Sequence, residues 1–277
     1  MNPFPLSSFP AYQNSSFIDF LHRERPELTP GVRWGTASPV PSWSSEDSRK
    51  EWQHLVTHGT TVLGINYAGG VVIAGDRRAT EGSQIAGRRM EKVFKMDSHS
   101  AMAIAGAAGP CVEMAKLFSI ELEHYEKLDG VQLSCEGKAN RLGHMVKANL
   151  PMVMQGLVVI PLFVGYDPKL GQGRIFKYDV AGGRYEEIDF HAIGSGGKDA
   201  RMTMKERYRK EMNEDEASRL AIRALVSAAD EDVGTGGPDL LRKIFPTMKI
   251  VDAQGVRDVE EAQVRILSEE ILSLVEE

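Results

Sequence analysis

Alternation of apolar and polar positions sets in abruptly at residue 60. Leu63, Ile65 and Tyr67 fall on one face of an extended chain, with Val62, Gly64 and Asn66 on the other. Ala68-Gly69-Gly70 then supplies a hairpin-type connection into a second strand over Val71-Val72-Ile73-Ala74. Residues 92–96 and 101–105 read as another strand pair, joined by the turn chemistry of Asp97-Ser98-His99-Ser100. The period changes at about Pro110. From there to Lys127, Ala115, Phe118, Leu122 and Tyr125 recur at three- and four-residue steps, which predicts a helix face. A second helix follows Asp129-Gly130, with Leu142, Met145, Val146 and Asn149 on one side, and Pro151 kinks or ends it.

Residues 158–164 form a short apolar run of the kind a doubly covered strand shows. Strands continue at 174–178 and 185–188. Ile193-Gly194-Ser195-Gly196-Gly197 then leads into two helices, the second with a small-residue face of Ala217, Leu220, Ala221, Ala224, Leu225 and Ala228. A late strand at 249–251 precedes a final helix marked by Val264, Leu267, Ile271 and Val275. This order lacks the strict βαβ alternation of a parallel sheet. It suits antiparallel sheets with helices outside, in one domain from Thr60 onward.

The first 59 residues differ in kind. They hold seven of the thirteen prolines and all three tryptophans, Trp34, Trp43 and Trp52. Thr36-Ala37-Ser38-Pro39-Val40-Pro41-Ser42 can form neither a helix nor a central strand, because proline lacks the amide donor. Phe17, Ile18, Phe20 and Leu21 make at most one amphipathic turn. Disordered tails are usually poor in aromatics, so this segment is expected to dock along another surface before it is removed. A cut between Gly59 and Thr60 would make Thr60 an N-terminal nucleophile.

Composition narrows the function further. A chain of 277 residues with 42% hydrophobic and 26% charged positions can bury a substantial core. The net charge of -6, with no basic stripe, argues against nucleic-acid binding. Nothing approaches the roughly 18–20 consecutive apolar residues of a membrane span. The start is no secretory signal, since it has no basic residues and Pro3, Pro5 and Pro10 interrupt its apolar positions. Cys111 and Cys135 cannot make a disulfide framework and show no CxxC spacing, so both read as packing thiols in a reducing cytoplasm. His124, His144 and His191 read as packing or surface residues, and no paired ligand spacing such as HExxH points to a metal.

Taken singly, Asp76 is a turn residue, Lys92 a solvated lysine and Thr60 a strand residue. Their combination and spacing carry the signal. With Gly59-Thr60-Thr61, Gly75-Asp76-Arg77-Arg78-Ala79-Thr80, Lys92, Ile104-Ala105-Gly106-Ala107-Ala108-Gly109, Gly194-Ser195-Gly196 and Asp232-Val233-Gly234-Thr235-Gly236-Gly237-Pro238-Asp239, the chain resembles the proteasome β-subunit family. Glu121-Leu122-Glu123-His124-Tyr125-Glu126-Lys127 is most similar to the actinobacterial members. The resemblance covers essentially everything after Gly59.

It implies an α+β fold, the N-terminal-nucleophile (Ntn) hydrolase four-layer αββα sandwich with two antiparallel sheets. It implies a propeptide over 1–59, autocatalytic cleavage at Gly59-Thr60, and a catalytic domain over 60–277. The activity implied is that of a threonine endopeptidase. Thr60 would attack through its hydroxyl, with its own freed α-amino group as base; such an amine titrates at about 7.7–8.0 against about 10.4 for lysine. Lys92 would stay protonated beside Thr60, held by Asp76. Ser195, Asp232 and Thr235 would hydrogen-bond around the terminal amine, and the Gly106 amide would face the oxyanion. Thr80 and Gly106 would bind the substrate backbone as an added strand. Ala79, Met90, Phe94, Ile104 and Ala108 would line an uncharged P1 pocket favouring apolar side chains.

The assembly implied is a stack of seven-membered rings with proteasome α subunits outside, α7β7β7α7, using neither metal nor organic cofactor. A ring-forming ATPase would act through the α ring on substrates tagged by a prokaryotic ubiquitin-like protein. Two alternatives keep the fold: a non-catalytic ring subunit, and a two-ring ATP-dependent bacterial peptidase lacking α subunits. Thr60, Asp76 and Lys92 together count against the first, the long leader against the second. A serine hydrolase built on Ser195 fails, because its nucleophile elbow would need Gly where Ile193 stands and no histidine follows Ser195. A phosphate-binding loop fails with Ala192 at its leading Gly and Asp199 in place of Ser/Thr.

Overall fold

The strand that begins one residue after Thr60 is an interior strand of its sheet. In the computed structural model, which describes residues 59–81 and 84–274, β1 (Thr61–Tyr67) pairs on one side with β2 (Gly70–Gly75) and on the other with β10 (Phe190–Gly194). β11 (Thr247–Asp252) and β12 (Gly255–Asp258) complete an antiparallel sheet in the order β10-β1-β2-β11-β12. A second antiparallel sheet runs β5-β6-β7-β8-β9, built from Val93–Asp97, Ser100–Gly106, Val159–Asp167, Gln172–Tyr178 and Arg184–Glu187. Between β2 and β5 lies a small hairpin of β3 (Ala79–Glu81) and β4 (Gln84–Gly87).

Three apolar clusters stack these layers. Val62, Ile73, Ala103, Leu162, Val164 and Ile175 fill the gap between the two sheets, and a Cβ on Gly64 would come within 3.3–3.6 Å of Val164, Leu162 and Ile175. On the far face of the first sheet, Leu63, Ile65, Val72 and Met248 pack under α4 (Gly197–Arg207), α5 (Glu214–Glu231) and α6 (Glu261–Ser273). On the far face of the second, Met102, Ile104, Phe163 and Phe176 pack under α1 (Ala108–Asp129) and α2 (Cys135–Ala148). The order helices, sheet, sheet, helices is the four-layer α+β arrangement the resemblance implied.

Local chemistry sets the helix limits. The Asn213 side chain accepts from the Glu216 amide while Glu216 reaches back to the Asn213 amide, a capping box that starts α5. Ser134 caps α2 by accepting from the Gly137 amide, and α1 stops at Gly130 in the left-handed region (φ +69°). Pro151 both ends α2 and opens the short α3 (Leu150–Val153), where a missing amide costs nothing. Cys111 and Cys135 are buried and unbonded, as read. Among the described residues no helix is long and apolar enough to cross a membrane. The leader readings at 1–58 and Val275 lie outside the described residues.

Candidate active site

Thr60, Asp76, Lys92, Gly106 and Ser195 lie at or next to the ends of strands, while Asp232 and Thr235 follow a helix. Antiparallel pairing sets Val62 opposite Gly75, which brings the next residue, Asp76, beside Thr61. The Asp76 amide donates to the Thr61 carbonyl oxygen at 3.0 Å, and the Thr61 amide donates to Asp76 Oδ1 at 2.8 Å. Lys92 enters from the second sheet, one residue before β5, its carbonyl oxygen accepting from the Ile104 amide at 3.1 Å. Ser195 follows β10 and its amide donates to the Thr60 carbonyl oxygen at 2.9 Å. Asp232 caps the C-terminus of α5, with Thr235 one turn further on.

Lys92 and Asp76 form a buried pair, 3% and 0% exposed, with Nζ 2.6 Å from Oδ1. Nζ also donates to the Arg78 carbonyl oxygen at 2.5 Å and to the Gly59 carbonyl oxygen at 3.0 Å. Three acceptors match the three protons of an ammonium, the form the sequence reading expected. Burial nevertheless pushes the Lys92 pKa below its usual value, and the Asp76 charge offsets that only in part. Asp76 is held independently of the lysine, since the Arg78 and Gly236 amides both donate to Oδ2 at 2.9 Å. Cys111, at the start of α1, lies close enough to feel the Lys92 charge; burial pushes its thiol up to about 12, so it stays neutral.

A second cluster flanks Thr60 on the opposite side. Ser195 Oγ and Thr235 Oγ1 each donate to Asp232 Oδ2 at 2.5 Å, and the Gly234 amide donates to Oδ1 at 3.1 Å. Partial burial works against the charged carboxyl, but these donors outweigh it and hold its pKa below the ordinary range.

Thr60 itself is 4% exposed. Its hydroxyl donates to the carbonyl oxygen of Gly59 at 2.6 Å. The Gly59 amide donates to Thr80 Oγ1 at 3.0 Å. A Cβ on Gly59 would lie 2.3 Å from that oxygen and 2.5 Å from the Gly234 carbonyl oxygen, so no side chain fits between them. Gly106 closes β6 at φ +131°, with the Val158 carbonyl oxygen 2.0 Å from where a Cβ would stand, so glycine is required there too.

The five expected pocket residues are spread over neighbouring elements. Phe94 and Ile104 share the apolar cluster under α1. Ala79 opens β3, Met90 lies between β4 and β5 with its amide on the Arg77 carbonyl oxygen, and Ala108 opens α1. Sequence reasoning missed Thr61, the Arg78 carbonyl and the Gly196 and Gly236 amides. Main-chain groups carry no sequence signal, and Thr61 was absorbed into the strand pattern.

A family model described as proteasome subunit matches residues 56–240. A protein of Acidimicrobium ferrooxidans named "Proteasome subunit beta" is 55% identical over 260 residues, covering 94% of each chain. Proteins of the same name from Acidothermus cellulolyticus and Streptomyces griseus are each 49% identical over 94% of this chain, covering 87% and 88% of their own lengths.

Proposed function

This chain belongs to the proteasome subunit family, and from that premise we propose that it is a β-type peptidase subunit of a proteasome core, made as an inactive precursor. The observation that carries the reading is the Thr60 hydroxyl 2.6 Å from the Gly59 carbonyl oxygen, which the Lys92 ammonium also reaches at 3.0 Å. In self-cleavage the Thr60 oxygen adds to the Gly59 carbonyl carbon while Lys92 supports the charge growing on its oxygen. The Gly59–Thr60 C–N bond then breaks as the proton released by the Thr60 hydroxyl passes to the departing nitrogen, leaving an ester on Oγ1 and a free amine on Thr60. Water hydrolyses the ester, releasing residues 1–59 with a C-terminal carboxylate and leaving 60–277 as the working subunit.

In peptide cleavage that amine takes the Thr60 hydroxyl proton and the oxygen attacks the substrate carbonyl. The peptide bond breaks to give an acyl-enzyme ester and an amine product, and water completes the turnover. Before the cut the same nitrogen is an amide and cannot act as base, which keeps the precursor inactive. Asp76 positions Lys92, and Ser195, Asp232 and Thr235 form the hydrogen-bonded cluster around the freed amine of Thr60, with Ser195 also holding the Thr60 carbonyl. The Gly106 amide receives the oxyanion, Thr80 and Gly106 align the substrate, and Ala79, Met90, Phe94, Ile104 and Ala108 favour apolar P1 residues.

The same reading places the subunit in a cytoplasmic α7β7β7α7 stack with α subunits, served by a ring ATPase and by substrates tagged with a prokaryotic ubiquitin-like protein. Intact-mass measurement of the active subunit tests the chemistry. The expected mass is that of a chain beginning at Thr60, without any tryptophan. Any other start in a fully active enzyme, or normal turnover by Thr60→Ala, overturns the assignment.

A further inference from the structure

We infer that Thr61, the residue after the nucleophile, is a positioning residue that splints the two halves of the site through its side-chain hydroxyl. This rests on the proposed chemistry of Thr60. Thr61 is fully buried at 0% exposure, yet three of its polar groups point into the site. Its amide donates to Asp76 Oδ1 at 2.8 Å, the same oxygen that receives Lys92. Its carbonyl oxygen accepts from the Asp76 amide at 3.0 Å. Its Oγ1 lies 2.6 Å from Thr235 Oγ1 and accepts from the Gly196 amide at 3.0 Å.

Counting protons fixes the direction of that chain. Each hydroxyl has one proton to give. Asp232, held ionised by its donors, can only accept, so Thr235 gives its proton to Oδ2 at 2.5 Å. Thr235 therefore has none left for Thr61, and the 2.6 Å contact must be donated by Thr61. The Gly196 amide supplies the donor Thr61 needs in turn. The result is a one-way relay from Gly196 N–H through Thr61 O–H and Thr235 O–H to the Asp232 carboxylate. Its neighbour Ser195, one residue before Gly196, gives its own proton to the same carboxylate oxygen at 2.5 Å.

Thr61 is thus tied to one carboxylate through its amide and to the other through its hydroxyl. Thr60 is bonded directly to it. Any loosening of Thr61 shifts the nucleophile against both halves at once. A serine in its place keeps the relay; a valine keeps the shape and removes the relay, leaving the buried Gly196 amide without its acceptor.

The test uses the full chain assembled with its α-type partner, comparing Thr61→Val, Thr61→Ser, Thr235→Val and the double variant Thr61→Val/Thr235→Val. Peptide turnover and precursor mass are read in each. The expected result is a fall in kcat of about tenfold to a hundredfold for Thr61→Val, with KM changed by less than about twofold, and with slowed loss of residues 1–59. Thr61→Ser should recover most of the rate. The double variant should be no slower than the worse single variant, because both cut one relay. Unchanged kcat in correctly assembled Thr61→Val, or equal losses in the serine and valine variants, overturns the inference, as do losses that multiply in the double variant. Thr60→Ala serves as control: turnover surviving in it refutes the threonine chemistry itself, whereas its inactivity beside a fully active Thr61→Val refutes only the splint.

Discussion

The two flanks of Thr60 solve the problem of holding a carboxylate in opposite ways. On one side Asp76 is sealed between the sheets with a full charge as partner, and every acceptor around Lys92 is used. On the other side Asp232 sits at the mouth of a loop, held by two hydroxyls and one amide, with no cation among the described residues bonded to it. Sealing makes the first flank rigid and costly to disturb, since a buried charge stripped of its partner has no water to turn to. The second flank is partly solvated and made of neutral donors, so each loss there is smaller. On the proposed chemistry, the lysine flank would set the electrostatics of the Thr60 hydroxyl and the serine flank would adjust its position.

The sharpest way to break this contrast is Asp76→Asn. An amide offers one acceptor oxygen where the carboxylate serves four donors, and it strands the Lys92 charge. The expected outcome is loss of processing and turnover by about a thousandfold or more. Stability should fall by about 3–5 kcal/mol, read by chemical denaturation. Lys92→Met should abolish activity as thoroughly but destabilise less, because three main-chain amides still hold Asp76; equal destabilisation would show that those amides do not suffice.

Asp232→Asn should reduce kcat by about tenfold to a hundredfold with the chain still cut at Thr60, and change stability by under about 2 kcal/mol. A collapse in stability like that of Asp76→Asn would erase the distinction between the flanks. The smallest effect belongs to His191, on the strand next to β1. Burial, aided by Lys177 and Arg201 and opposed by Glu187, pushes its pKa down to about 4. Unfolded, it takes up a proton near pH 6.5, which the folded chain resists until about pH 4. Stability is thus present above pH 6.5 and is lost as pH falls toward 4, by ~1–2 kcal/mol after screening at a partly exposed ring. His191→Asn should flatten that acid-side decline in thermal midpoint; an unchanged slope would remove His191 as its source.

Much of the fold was legible because its strands and helices differ in period. The faces assigned to Leu63 and Ile65 against Val62 reappear as two separate cores, and the small-residue face of residues 217–228 packs under the first sheet. Four strands escaped. The β3–β4 hairpin and β12 are only three or four residues long, too short for a period to register. β10 was hidden because the glycines that follow it read as a loop, although its pairing with β1 is what delivers Ser195 to Thr60.

The site divides the same way. Thr60, Asp76, Lys92, Ser195, Asp232 and Thr235 were picked out by the family resemblance, which rests on whole blocks of residues at set separations rather than on any one of them. The uncharged character of the proposed P1 residues was equally plain. What only the folded chain decided was which groups meet: the Gly59 carbonyl shared by the Thr60 hydroxyl and Lys92, and the amides that fix Asp76. The direction of the Thr61–Thr235 hydrogen bond was likewise settled only there. Those depend on strand register and close backbone approach, and main-chain donors and acceptors are the same at nearly every residue, so a sequence cannot mark the few that matter.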